Sequence, residues 1–241
     1  MNYLSIISTV VTFIFAGAVF NRYRHKRGTY LLLWGIGLVL YGLGTLSEVI
    51  LSFTYSEFVL KLWYLTGAML TAAWLGQGTI HLLVRRRGVA STLTAILTIV
   101  SVLAVFLVFM APTTSAAASF DIGAPVSAQY KDILVRSGLI TLLTILLNIY
   151  GTLALVGGAV YSAYLFWRKQ VLLDRVIGNL LIAAGALMPA MAGSFVKAGL
   201  VDWLYISELL GAILMYIGFL RATAGKPVES KTPTPATAAG Q

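Results

Sequence analysis

From Val89 to Ala111 the chain reads VASTLTAILTIVSVLAVFLVFMA, with no charge and no side-chain amide. A run of that length and character suits the hydrocarbon core of a bilayer, which about 20 apolar residues cross as a helix. In lipid, backbone N–H and C=O groups must be satisfied within the segment, so a helix is the local structure it adopts. Runs of the same kind recur along the chain, at 3–20, 29–53, 58–84, 89–111, 137–167, 176–200 and 203–220. The expected fold is therefore all-α and integral to the membrane: a seven-transmembrane helix bundle over residues 1–221. A tail at 222–241, rich in Pro, Thr and Ala, is too short to bury a core and is expected to be disordered. Composition agrees, since only 10% of the 241 residues are charged and the mean hydropathy is +0.90, against roughly 25% charged in soluble domains.

The basic residues sort by side. Thirteen of the 17 Lys and Arg (Arg22, Arg24, Lys26, Arg27, Arg85, Arg86, Arg87, Arg168, Lys169, Arg175, Arg221, Lys226, Lys231) follow spans one, three, five and seven. The other side holds only Lys61, Lys131, Arg136 and Lys197. Excess Lys and Arg marks the cytoplasmic side, which puts the N-terminus outside and the C-terminus in the cytoplasm. The first span carries its charges after the apolar stretch, so it is expected to remain as an anchor and not be removed as a signal peptide. The net charge of +9 lies in inter-span loops and reflects topology. The partner it implies is the lipid bilayer, with no nucleic acid.

Several chemistries are absent. The chain has no cysteine and two histidines, which argues against thiolate sites, a bis-histidine haem or a zinc site. No serine–histidine–acid set, paired carboxylates beside metal ligands or phosphate-cradling loop occurs. No catalytic residue, metal or cofactor is expected, and the chain is not read as an enzyme.

Polar residues inside the spans carry the functional question. Glu48 and Glu208 lie near the outer ends of spans two and seven, and Lys61 and Lys197 hold matching places on spans three and six. All four sit within roughly 5–8 Å of the outer boundary at 1.5 Å per residue. Charges in a bilayer are costly unless paired, so the expectation is pairing within each hairpin, Glu48 with Lys61 and Lys197 with Glu208. One reading makes these pairs structural, with snorkelling lysines. The other makes them a polar site open to the outside, joined by Arg136 and Asp202.

Helical spacing puts Trp34, Tyr41, Thr45 and Glu48 on one face of span two. On span three it puts Trp63, Gly67, Leu70, Trp74, Gln77 and His81 on one stripe. Trp34, Tyr41, Trp63, Trp74, Gln77 and His81 are thus candidates to line a pocket or pack the core. So are Asn148 and Asn179, the amides of spans five and six, which suit interhelical hydrogen bonds. Span four, lacking charge and amide, is expected at the lipid-facing edge. Span five would be about 46 Å long if straight, with Gly151 and Gly157–Gly158 as bending points, and Pro189 should kink span six. Gly35, Gly37, Gly42 and Gly44 would permit close helix approach, and the oligomeric state stays open.

The segments GTLSEVIL (44–51) and GSFVKAGL (193–200) share a pattern of Gly, hydroxyl, bulky apolar, charge and Leu. They raise a parallel 3+1+3 repeat, an arrangement that points to a small-solute transporter. A different resemblance rests on residues 30–84. There LLLWGIGLVLYGLGTLSEVIL leads through a short turn to LWYLTGAMLTAAWLGQGTIHLL. This resembles the N-terminal seven-transmembrane sensor region of bacterial histidine kinases and cyclases. It implies a bacterial plasma (inner) membrane, a ligand pocket facing outward or within the membrane, and coupling to an inside output. No output domain follows Leu220, so a separate signalling partner protein is implied. The expectation is a sensor-like or ligand-binding membrane module, with a transporter or an accessory subunit of a larger complex as alternatives.

Overall fold

The computed structural model describes residues 3–86, 88–169, 173–197 and 202–224, with side chains at 192–197 and 202 excepted. Seven of its helices are long and apolar enough to cross a membrane. They are α1 (Tyr3–Lys26), α2 (Thr29–Leu51), α3 (Glu57–Leu83), α4 (Val89–Met110), α6 (Gly138–Arg168), α7 (Leu173–Lys197) and α8 (Asp202–Ala224). A short helix, α5 (Val126–Ile133), lies in the connection between α4 and α6. No β-strand is present among the described residues, only an isolated bridge from Thr113 to Leu134. The expected tail at 222–241 falls outside the described residues from 225 onward.

Local signals set the boundaries. Helix α1 runs through the basic stretch to Lys26, and Arg27 then turns with φ 52°, its N–H bonding Tyr23 O at 2.8 Å. Ser56 caps α3 by accepting from Val59 N–H, with Glu57 favourably placed in the first turn. Ser137 does the same for α6 through Ile140 N–H. Short turns between successive long helices make neighbours antiparallel.

Two helices leave α-geometry midway. Tyr64–Leu70 in α3 and Leu153–Gly157 in α6 are π-helical. The second lies between Gly151 and Gly158, where the sequence suggested a bend. Helix contacts elsewhere rely on small residues, as membrane bundles require when lipid removes the hydrophobic drive to associate. Along α7 and α8, a Cβ on Gly178 would lie 2.7 Å from Gly218 O, and one on Gly185 would lie 2.8 Å from Gly211 O. The seven-residue spacing on both helices makes a continuous seam. Pro189 leaves the Gly185 carbonyl without its helical N–H, and that carbonyl faces Gly211. The glycines of α2 are also consumed inside the bundle. Gly35 meets Phe20, Gly37 meets Leu75, Gly42 meets Phe13, and Gly44 meets the Gly67 backbone.

The buried side chains form two main clusters. One gathers Leu60, Trp63, Tyr64 and Met69 with Val108, Ile133, Leu134 and Leu147. The other gathers Phe15, Trp34, Tyr41 and Leu75 with Leu155, Met215 and Phe219. Helix α4 turns most of its surface outward, with Ile99 70% and Val102 66% exposed. That apolar surface suits contact with lipid, as its uncharged sequence suggested.

Candidate functional site: a capped cavity with a carboxyl pair

A cavity of about 630 Å³ opens where the two clusters part. Its lining runs along α3 from Trp63 to Leu75, about 18 Å at 1.5 Å per residue. Helices α2, α6, α7 and α8 contribute Glu48, Asn148, Pro189 and Glu208, and α5 contributes Ser127, Tyr130 and Lys131.

Glu48 comes from the last turns of α2, three and seven residues beyond Thr45 and Tyr41, which line the same cavity. It is 2% exposed. Its Oε1 accepts from Trp63 Nε1–H at 2.9 Å and its Oε2 from Ser5 Oγ–H at 3.4 Å. Behind it, Thr9 Oγ1 donates to Ser5 O at 2.7 Å and lies 3.0 Å from Thr45 Oγ1. Glu208 reaches in from α8 to the same cavity, close enough for the two carboxyls to interact directly. Tyr41 Oη donates to the Glu208 carbonyl at 2.8 Å and holds that turn of α8 in place. No N–H or hydroxyl donor among the described residues reaches Glu208 Oε2, although the atom is buried.

The expected Glu48–Lys61 pair does not form. Lys61 Nζ bonds Glu57 Oε1 at 2.5 Å, one turn back on its own helix, and Phe109 O at 3.2 Å. Sequence depth puts Lys61 level with Glu48, but azimuth decides. Trp63 faces α2, and two residues separate side chains by about 200° around a helix, which turns Lys61 to α4. The Lys197 side chain lies outside the described residues, so its expected pairing with Glu208 does too, as does any part played by Asp202. Glu208 instead meets Glu48. Arg136 joins neither acid. Its guanidinium sits 5.1 Å from the centre of the Tyr130 ring.

The single stripe expected on α3 splits in two. A π-helical turn carries i→i+5 bonds in place of i→i+4, so Tyr64–Leu70 shifts the faces downstream of it. Trp63 and Gly67 look into the cavity. Trp74 Nε1–H bonds Ser101 Oγ at 3.1 Å, and Gln77 Nε2 bonds Ala90 O and Thr94 Oγ1, both at 2.8 Å. His81 Nε2 is 2.7 Å from Thr94 Oγ1. These three partners belong to α4, and Tyr150 of α6 completes the group by donating to Gln77 Oε1. Trp34 bonds Thr79 Oγ1 and packs on Phe219, away from the cavity. Asn179 bonds Arg175 O on its own helix. Asn148 does line the cavity, and its Nδ2 bonds Ala68 O at 2.8 Å, within the π-helical stretch.

Sequence reasoning missed the cap. The hydrophilic segment after Met110 folds back on the bundle, with Val126, Ile133 and Leu134 buried. Thr114 N–H bonds Ile133 O at 2.8 Å and Val135 N–H bonds Pro112 O at 3.0 Å. Tyr130 packs edge-on against Trp63, ring centres 5.2 Å apart, and against Tyr64. Burial pushes the Tyr130 phenol above its ordinary value of 10.0, and Arg136 pulls against that shift. The Ser5/Thr9/Thr12 face of α1 was missed as well, although its 4-3 spacing in SIISTVVT is legible in the sequence.

Chemically, the site offers two carboxyls in contact, aromatic walls from Tyr41, Trp63 and Tyr130, and an amide at Asn148. No group of three metal-ligating side chains occurs among the described residues. No protein-family model, curated protein or solved structure matches the chain.

Proposed function

We propose that the chain is a sensor-like, ligand-binding module of a bacterial plasma membrane, with its N-terminus, cap and cavity mouth outside and its C-terminus in the cytoplasm. The observation that carries this reading is the capped cavity, whose volume falls in the ~300–1,000 Å³ range of small-molecule sites. Its apolar walls and few convergent polar groups have the make-up of such sites. The sidedness rests on the basic residues, which crowd the helix ends opposite α5. The likeness of residues 30–84 to kinase sensor regions favours an output passed to a separate partner chain.

The test is binding by the purified protein in nanodiscs, read as thermal stabilisation by small water-soluble compounds. Ala68→Phe, which adds a ring to the cavity wall, is expected to abolish the stabilisation with little change in the melting temperature of the free protein. Ligands that bind Ala68→Phe as well as the parent would contradict the reading.

Transport of a small solute is a second reading. It is favoured by the placement of three interruptions of regular α-helical hydrogen bonding, the two π-helical turns and Pro189, against the same cavity. Such irregularities are where transporter helices bend around a substrate. Counterflow in liposomes separates the two, since a sensor binds without flux and a transporter moves solute alone.

A further inference from the structure

We infer that the cavity takes a small organic cation, a protonated or quaternary amine, which replaces a proton held between Glu48 and Glu208. The inference rests on the ligand-binding reading and names the class of ligand.

Three observations converge. First, Glu48, which is buried, and Glu208 line the same cavity and interact directly. Because a hydrogen bond between two carboxyls needs at least one O–H donor, the pair is suited to hold a proton. Two bare carboxylates this close in a dry site would repel strongly. Second, no cation among the described residues settles the pair. Lys61 is committed to Glu57 and Phe109 O, and Arg136 is stacked on Tyr130. Lys131 lines the outer part of the cavity from the cap and is exposed there. The other titratable groups facing the space are phenols, Tyr41 on α2 and Tyr130 on α5. Third, Glu208 lines the cavity and its buried Oε2 has no N–H or hydroxyl donor from another side chain or the backbone among the described residues, so the acid pair is incompletely satisfied by the protein.

The walls choose the kind of cation. A hard metal ion needs about six oxygen ligands, and this lining is mainly aromatic and aliphatic. An amine carrying apolar groups matches it: the charge meets the carboxyls and the hydrocarbon meets Trp63, Tyr130 and Leu155. Aromatic faces add attraction for such a cation. The exchange balances in charge. One cation enters, one proton leaves to the outside water, and the net charge of the site is unchanged, which spares the low-dielectric interior an added charge.

Three near-isosteric probes test this by calorimetry in nanodiscs: 2-phenylethylamine, 2-phenylethanol and phenylacetate, with tetramethylammonium as a cation that cannot lose a proton. The expected result is binding of the two cations only, with about one proton released per tetramethylammonium bound when buffers of different ionisation enthalpy are compared. Glu208→Gln, whose amide can still donate to Glu48, should weaken cation binding at least tenfold and abolish the proton release. Asp174→Asn, at the opposite end of the bundle, should leave both unchanged. Binding of phenylethanol or phenylacetate that Ala68→Phe removes, with no binding of the amines, would overturn the cation class and leave the cavity reading standing. Cation binding without proton release, or unaffected by Glu208→Gln, would overturn the exchange. No binding by any probe would count against both.

Discussion

Helix α3 carries a polar group at each end of its membrane path, and the two are built on opposite principles. With the sidedness proposed above, Trp63 belongs to the outer group and Gln77 to the inner one, about 21 Å further along the helix. In the inner group Gln77, His81, Thr94 and Tyr150 satisfy one another and the Ala90 carbonyl. Among the described residues no buried polar side-chain atom of this group lacks a partner, and none of the four lines the cavity. In the outer group both Glu48 oxygens accept hydrogen bonds, while Glu208, which lines the cavity, keeps a buried oxygen that no N–H or hydroxyl among the described residues reaches. A closed buried network rigidifies and specifies packing, whereas an incomplete one is costly unless something else completes it. We read the inner group as a helix clamp and the outer group as the proposed site.

That contrast can be broken by mutation. The largest expected effect is on the outer function: Glu208→Gln should cut cation affinity tenfold or more while changing stability by less than about 1 kcal/mol, because amide and carboxyl have the same shape. Inner-group changes should do the reverse. Gln77→Leu strands the Tyr150 hydroxyl and removes a donor from Thr94 Oγ1 and the Ala90 carbonyl, which keeps its bond from Thr94, and should cost about 1–3 kcal/mol in denaturation with affinity unchanged. If Gln77→Leu altered affinity as much as Glu208→Gln, the division between clamp and site would fail.

Trp63→Phe is intermediate, since it keeps the packing against Tyr130 but removes a donor from Glu48. It should lower stability by about 1–2 kcal/mol and shift binding as well. The raised Tyr130 phenol gives a pH effect confined to the cap. A group with a folded value above its unfolded one contributes stability that is complete below the unfolded value and lost as pH rises through the folded value. Cap packing should therefore weaken only above pH 10, the ordinary phenol value, as read by ultraviolet titration against Tyr130→Phe. Smallest of all, Asp174→Asn removes the exposed ion pair to Arg221, 3.3 Å long, and should change stability by less than about 0.5 kcal/mol.

The sequence reveals the seven apolar helices because lipid leaves few alternatives for runs such as Val89 to Ala111. It also singles out Glu48, Glu208, Trp63, Tyr41 and Asn148, which the structure gathers around one cavity. What it hides is azimuth. Depth along a span follows from counting residues, and by depth Lys61 is a natural partner for Glu48. The direction a side chain points depends on how each helix is rotated, and the π-helical turn at Tyr64–Leu70 breaks the period on which a stripe is drawn. Helical spacing therefore groups Trp74, Gln77 and His81 with Trp63, although they face another helix. The cap was hidden for a different reason. Its helix, VSAQYKDI, is too short to announce itself, and its place over the cavity depends on contacts with Trp63 and Tyr64 that are remote in sequence.

The central claim is that Glu48 and Glu208 form one proton-holding unit that a cation completes. Infrared difference spectroscopy of the protonated-carboxyl stretch, with and without tetramethylammonium, reads this directly. The account predicts one band that weakens when the cation binds, that changes in both Glu48→Gln and Glu208→Gln, and that is insensitive to Lys61→Met. Two bands that respond independently to the two substitutions, or a band governed by Lys61, would contradict it.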